Sequence, residues 1–133
     1  MNVVLYNVGR NLNRAYRTCY TFGISNIYLI NCDMSKMGSL FSAEKEVNIH
    51  ILDSIEDIEM NKTIALENYY SFPIQKVNWN NINYILIGGE SKGLPRKIKP
   101  KIKACIKTDN IFCLTVEASL AIVLYEYKRK INC

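Results

Sequence analysis

The stretch Asn83-Tyr-Ile-Leu-Ile-Gly-Gly-Glu-Ser-Lys-Gly-Leu-Pro95 contains a short apolar run that ends in a turn with three glycines. Glycines after a buried strand let the backbone pass where a side chain cannot fit, often beside a ligand, and ligands of open α/β sheets bind at this end of the strands. The spacing differs from the dinucleotide fingerprint G-x-G-x-x-G. It also differs from a P-loop, because Lys92 precedes the last glycine instead of following it. The stretch therefore predicts a ligand loop of another kind.

Strand-like apolar runs alternate with helical patterns along the chain. We predict strands over 2–6, 26–30, 47–52, 62–66, 83–87 and 103–106, a helix over 13–22 ended by Gly23, short helices near 41–45 and 55–60, and a long helix over 116–130. This alternation is typical of a mainly parallel sheet with helices on both faces. We therefore expect an α/β fold of that class, with one domain over residues 1–133.

The composition favours a globular chain in a reducing compartment. Hydrophobic residues make up 49%, the net charge is +5, and the five cysteines include no C-x-x-C pair. A single histidine, His50, cannot complete a zinc set, so we expect no metal and interpret His50 as a half-buried strand residue. Neither a membrane-spanning segment nor a signal-peptide pattern is visible, and we expect a cytoplasmic location without membrane contact.

Two basic segments could bind an anion. Arg14 and Arg17 are three residues apart on the first predicted helix, near a start that Asn11 or Asn13 could cap. A phosphate at this helix end would explain the arginines, although a solvated basic face is an equal or better explanation from spacing alone. The second segment, residues 96–103, follows the glycine turn and alternates cations with two isoleucines, which suits either a surface loop or contact with a polyanion.

Three segments, in this order, resemble the motifs of the SpoU (TrmH) branch of the SPOUT RNA methyltransferases. Residues 11–23 resemble the first motif, residues 88–95 the second and residues 114–126 the third. The chain differs from the family pattern at three positions. Asn13 stands where glycine is frequent, Cys113 where serine is frequent, and Thr115 where asparagine is usual.

The resemblance implies a deep trefoil knot near the carboxyl end, in which S-adenosylmethionine is held by the backbone of three loops. By position, the cofactor-binding residues would be Leu66, Glu67, Gly88, Gly89, Gly93, Ile106, Cys113, Leu114 and Thr115. The catalytic residue of the family falls on Arg17. Asn11 would orient Arg17 or the ribose, and Glu90 would fix the loop or touch the substrate.

The implied reaction is methylation of a ribose 2′-hydroxyl, so the implied partner is RNA. Without an appended RNA-binding segment, recognition would fall to a set of cations, which we predict to be Arg14, Lys92, Arg96, Lys97 and Lys99. Minimal members of this type suggest tRNA over rRNA, and a homodimer. The main alternative is a catalytically silent SPOUT-fold domain that binds RNA or dimerises. A flavodoxin-like domain is less favoured because the turn Asn7-Val-Gly9-Arg10 has one glycine only.

Overall fold

Seven strands of the described chain form one sheet in which every pairing is parallel. The computed structural model describes residues 1–36, 47–110 and 114–132. Its elements are β1 (Asn2–Tyr6), α1 (Leu12–Thr21), β2 (Asn26–Ile30), β3 (Asn48–Leu52), β4 (Thr63–Leu66), β5 (Phe72–Pro73), β6 (Tyr84–Gly88), β7 (Ile102–Cys105) and α2 (Val116–Ile131). Single 3₁₀ turns cover Met34–Lys36, Ile55–Asp57, Met60–Lys62 and Ile74–Lys76. The short helix predicted near 41–45 lies outside the described residues.

The strand order is β3-β2-β1-β6-β4-β7-β5, so β6 lies in the middle of the sheet between β1 and β4. Gly88 is in register with Tyr6, and Leu66 pairs with both Ile87 and Ala104. The carboxyl ends of β1, β4, β6 and β7 consequently meet at one edge. This register brings the predicted glycine turn beside the residues that follow β4 and β7.

The two faces of the sheet are covered differently within the described residues. On one face, α1 and α2 bury apolar side chains that include Tyr16 and Leu120 against the strands. On the other face, Ile58, Leu94 and Ile98 pack against the centre of the sheet. The α/β class with a mainly parallel sheet is confirmed. Within the basic segment, Ile98 is buried.

Local signals predicted several element ends correctly. Gly23 has a φ of +74° after α1, and its N–H donates to the Tyr20 carbonyl. Ser54 caps the 3₁₀ turn Ile55–Asp57, because its Oγ accepts from the Glu56 N–H at 3.1 Å. The helix expected over 55–60 is replaced by this turn and a second one at Met60–Lys62. His50 is half-buried on β3, stacked on Tyr28 at 4.6 Å between ring centroids, as predicted.

Further expectations concern cysteines and membranes. Cys19, Cys32 and Cys105, the cysteines whose placement is described, carry free thiols. Across the described ranges, no helix has the length and apolar character needed to cross a membrane.

Candidate active site

The glycine positions of the turn are packed so tightly that a side chain could not fit there. The Gly89 N–H donates to the Tyr6 carbonyl at 2.7 Å, which continues the β1–β6 ladder by one residue. A Cβ added at Gly89 would lie 2.1 Å from the carbonyl oxygen of Asn7, closer than any real contact. Gly93 has a φ of +65°, a backbone conformation that favours glycine. At its glycines, the turn therefore presents backbone without side chains at the carboxyl edge of the sheet.

Glu67 links the glycine turn to the loop after β4. Its Oε2 accepts a hydrogen bond of 3.3 Å from the Leu94 N–H, and the space beside Gly93 is filled by the same carboxylate. Burial raises the pKa of the Glu67 carboxyl, against the opposing effects of the Leu94 N–H, the Tyr69 hydroxyl and the charge of Arg96. Glu67 is therefore a half-buried acid held in place by the second motif.

Glu90 joins all three motifs. Its Oε1 accepts one hydrogen bond of 2.8 Å from the side-chain amide of Asn11 and another of 3.3 Å from the Val116 N–H in the first turn of α2. A carboxylate at a helix amino end is stabilised by the unpaired N–H groups and by the helix dipole. Asn11 occupies the position before α1, but its side chain forms no cap hydrogen bond with the helix. Its amide nitrogen donates to Glu90.

A cavity of about 260 Å³ opens between these loops. Seven of the nine predicted cofactor-binding residues line it, together with Glu90 and Lys92: Leu66, Glu67, Gly88, Gly89, Gly93, Ile106 and Leu114. Cys113 lies outside the described residues. Thr115 does not line the cavity; its Oγ1 accepts from the Ala118 N–H at 3.3 Å and caps α2.

Of the remaining lining residues, Thr108 falls within the loop 106–114 that the family resemblance assigns to the cofactor. Sequence reasoning missed the others, which are Asn68, Ile87, Ser91, Val116 and Ser119. Most of them directly adjoin predicted positions, and the convergence of strand ends in a parallel sheet could have indicated them. Ser119 follows from helical spacing, because it lies one turn after Val116 on α2 and so faces the same side.

The two arginines of α1 lie outside this cavity lining. Arg14 and Arg17 are both exposed, and Arg14 forms an ion pair of 3.6 Å with Glu117 in the first turn of α2. The Arg14 side chain is 68% exposed and that of Glu117 is 21% exposed, so solvent screens the pair from the arginine side and its contribution to stability is small. The structure therefore brings Asn11 and Glu90 together and leaves Arg17 on the helix surface of the single chain.

Four of the five predicted RNA-binding cations lie in or directly after the glycine turn, and the fifth, Arg14, is on α1. Lys92 borders the cavity, and Arg96, Lys97 and Lys99 are exposed. The guanidinium carbon of Arg96 lies 4.7 Å from the centroid of the Tyr69 ring. No group of three or more His, Cys, Asp or Glu side chains within 1–36, 47–110 and 114–132 could hold a metal ion.

Comparison with known proteins identifies the family. Residues 1–125 match the SpoU rRNA Methylase family, and the chain belongs to that family. The resemblance seen in the three motifs is thereby confirmed. No curated protein matches the chain.

Solved structures with the same fold share about a fifth of its residues. A structure described as giving insight into the 2-OH methylation of C/U34 on tRNA has a TM-score of 0.84 and 20% identity, over 99% of this chain and 91% of the other. An S-adenosylmethionine-bound rRNA methyltransferase from Sinorhizobium meliloti has the same TM-score and identity, over 98% and 56% of the two chains. The TrmH/SpoU tRNA modifying enzyme of A. aeolicus has a TM-score of 0.78 and 20% identity, over 98% and 74%. The chain thus spans nearly all of one relative and about half of another.

Proposed function

We propose that this chain is an S-adenosylmethionine-dependent RNA 2′-O-ribose methyltransferase. The observation that carries the proposal is the position of the cavity, which lies where the three family motifs meet around Glu90. Membership of the SpoU family supports the reaction class, and the descriptions of related structures name methylation of tRNA or rRNA.

The residues of the cavity fit the proposed cofactor. The side chains of Leu66, Ile87 and Ile106 offer apolar surface to an adenine ring, and the bare backbone at Gly88 and Gly89 can approach a ligand closely. When bound, S-adenosylmethionine would supply a methyl group on a positively charged sulfur, already activated for transfer. The carboxylates of Glu67 and Glu90, which border the same space, suit a positively charged ligand.

Arg17 would act on the charge of the ribose oxygen. A guanidinium keeps its proton at neutral pH, so an arginine such as Arg17 is a poor general base. We infer that Arg17 stabilises the negative charge that develops on the 2′-oxygen, or a phosphate beside it, while the proton leaves late or to solvent. The alternative is that a bound phosphate and exclusion of water allow proton transfer through Arg17. Asn11 would hold Glu90, and through it the junction of the motifs, in position.

We further propose tRNA as the substrate and a homodimer as the active form. A 2′-hydroxyl exists in RNA and not in DNA, and the exposed cations around the glycine turn offer contacts to its phosphates. The relative that this chain spans almost completely is described for tRNA, as is the enzyme of A. aeolicus. Tyr20 on α1 and Ile122 and Tyr125 on α2 remain exposed, and a second copy covering these helices would bury them and approach Arg17.

Two measurements test the proposal. Isothermal titration should detect binding of S-adenosylmethionine, and absence of binding at millimolar cofactor would exclude the methyltransferase reaction. Mass spectrometry of tRNA and rRNA from cells with and without the gene should then show one 2′-O-methyl nucleoside missing from tRNA. Loss from rRNA instead would exclude the tRNA assignment, and a monomer by sedimentation at assay concentrations would exclude the homodimer.

The silent RNA-binding domain remains a second candidate because of Thr115. Its hydroxyl serves as the cap of α2, and it stands where the family usually has asparagine. Cofactor binding without any methylated product would favour this candidate.

A further inference from the structure

Two tyrosine rings and two cations form a cluster beside the cavity: Tyr69, Tyr70, Arg96 and Lys103. We call this cluster the aromatic platform. Arg96 lies over the Tyr69 ring at 4.7 Å, and the Lys103 ammonium lies 5.6 Å from the centroid of the Tyr70 ring. The two tyrosine rings meet edge to face with centroids 4.9 Å apart.

The aromatic platform is attached to the cavity wall through Glu67. That carboxylate lines the cavity, interacts with the Tyr69 hydroxyl, and accepts the Leu94 N–H of the glycine turn. Tyr69 and Tyr70 are not themselves part of the lining. The platform is therefore fixed at the rim, outside the space that the cofactor would occupy.

The exposure of Tyr69 is unexpected for a purely structural role, whereas Tyr70 is half-buried and packs against the core. Tyr69 is 46% exposed, although burying an aromatic ring is favourable and ring pairs of this kind normally lie in cores or interfaces. The neighbouring exposed side chains at Lys97 and Lys99 are positive.

Unpaired RNA bases bind to such surfaces, by stacking on aromatic rings and on the plane of arginine guanidinium groups. We propose that the aromatic platform binds an unpaired base of the RNA substrate, next to the nucleotide whose ribose enters the cavity. The position of that base relative to the methylated ribose rests on the proposed function. The stacking surface itself rests on the four side chains.

The test measures binding of a short, fluorescein-labelled, single-stranded oligoribonucleotide by anisotropy, with full-length protein and its Tyr69→Ala and Tyr69→Phe variants. Loss of one stacking contact should weaken binding about tenfold or more in Tyr69→Ala, whereas Tyr69→Phe keeps the ring and should stay within about twofold. Ile51→Ala is the matched control, because Ile51 is 69% exposed on β3, at the opposite edge of the sheet. An oligonucleotide with the same backbone and abasic sites should bind Tyr69→Ala and the natural protein equally.

Titration of each variant with S-adenosylmethionine separates the two proposals. Equal RNA affinity of Tyr69→Ala and the natural protein, or equal affinity for base-containing and abasic strands, would overturn the platform while leaving methyl transfer intact. If the natural protein binds no cofactor but its RNA binding still depends on the base and on Tyr69, the proposed function fails and the stacking surface stands.

Discussion

The side-chain amide of Asn11 donates a hydrogen bond of 2.8 Å to Oε1 of Glu90, across 79 positions of the sequence. The same oxygen accepts the Val116 N–H, so one carboxylate connects the starts of both helices to the glycine turn. Because Asn11 does not line the cavity, a change at Asn11 should loosen this connection without altering the lining.

Asn11→Asp should weaken this junction because it places two carboxylates in contact. We expect the free energy of unfolding to fall by about 0.5–1 kcal/mol at neutral pH, a modest value since Glu90 is exposed to water. Urea denaturation measures the change. Asn13→Asp adds the same charge at the same helix end and should cost less than about 0.5 kcal/mol. The double variant with Glu90→Gln should regain part of the loss, and no difference between Asn11→Asp and the natural protein would contradict the role of the bond.

Gly89→Ala should destabilise the fold far more than Gly9→Ala. A Cβ at Gly89 would collide with the Asn7 carbonyl at 2.1 Å, whereas the nearest atom to one at Gly9 is the Asp33 Cβ at 4.0 Å. Overpacking against backbone costs at least about 2 kcal/mol, because backbone cannot move aside as a flexible side chain can. Thermal unfolding of both variants provides the measurement, and similar melting temperatures would show that the turn is less constrained than its geometry indicates.

Glu67→Gln should change how stability depends on pH. The pKa of Glu67 is raised in the folded state, mainly by burial, so ionisation is less favourable there than in the unfolded chain. The free energy that protonated Glu67 contributes to folding is fully present below the pKa that this group has in the unfolded chain. It is lost as pH rises through the pKa of the folded state. Relative to Glu67→Gln, the natural protein should therefore be more stable at about pH 4 than at about pH 7. A constant difference across this range, measured by urea denaturation, would argue against the raised pKa.

Arg17→Lys should reduce turnover while leaving cofactor affinity unchanged. Lysine keeps the charge but lacks the planar guanidinium fork, and we expect kcat to fall about a hundredfold. Single-turnover methylation and isothermal titration measure the two quantities. Arg14→Lys is the control at saturating RNA, since a lysine can keep both the ion pair with Glu117 and a contact to phosphate, so any change should appear in RNA affinity and not in the single-turnover rate. Near-normal turnover of Arg17→Lys would remove any requirement for the fork.

Variants of Thr115 distinguish an active methyltransferase from a catalytically silent RNA-binding domain. Thr115→Ala removes the cap of α2 and should cost about 1 kcal/mol of stability, whereas Thr115→Asn keeps a good cap and should be neutral. If Thr115 limits catalysis, Thr115→Asn should raise the rate of methyl transfer above that of the natural protein. Equal rates would show that the departure from the family pattern is without consequence for turnover.

Local signals in the sequence predicted most elements because each depends on neighbouring residues. The continuous apolar run of β1 indicates a strand buried on both faces, and the spacing of Leu120, Val123, Leu124 and Tyr127 on α2 indicates burial on one side of a helix. The two-residue strand Phe72–Pro73 was missed, since so short a segment carries no periodicity. Its pairing with β7 is a property of the folded chain only.

The candidate site was partly predictable for a similar reason. Glycine turns at strand ends predict a ligand edge, and the family pattern supplied Glu90, Gly93 and Leu114, all of which the structure brings to the cavity. Local signals favoured Asn11 as a cap for α1, and nothing in them indicated that its amide would pair with Glu90. That bond depends on the placement of β6 beside β1, which no local pattern records.

The central position of β6 has a consequence for how the chain is made. β6 enters between β1 and β4, both of which are synthesised earlier, and Glu90 then requires the Val116 N–H from the last helix. The β1–β2–β3 part can pair once residue 52 has emerged, but pairings between distant segments come late and form slowly. A nascent chain therefore holds no cofactor-sized cavity until the start of α2 has left the ribosome, and products that end before α2 would be unable to compete for the methyl donor.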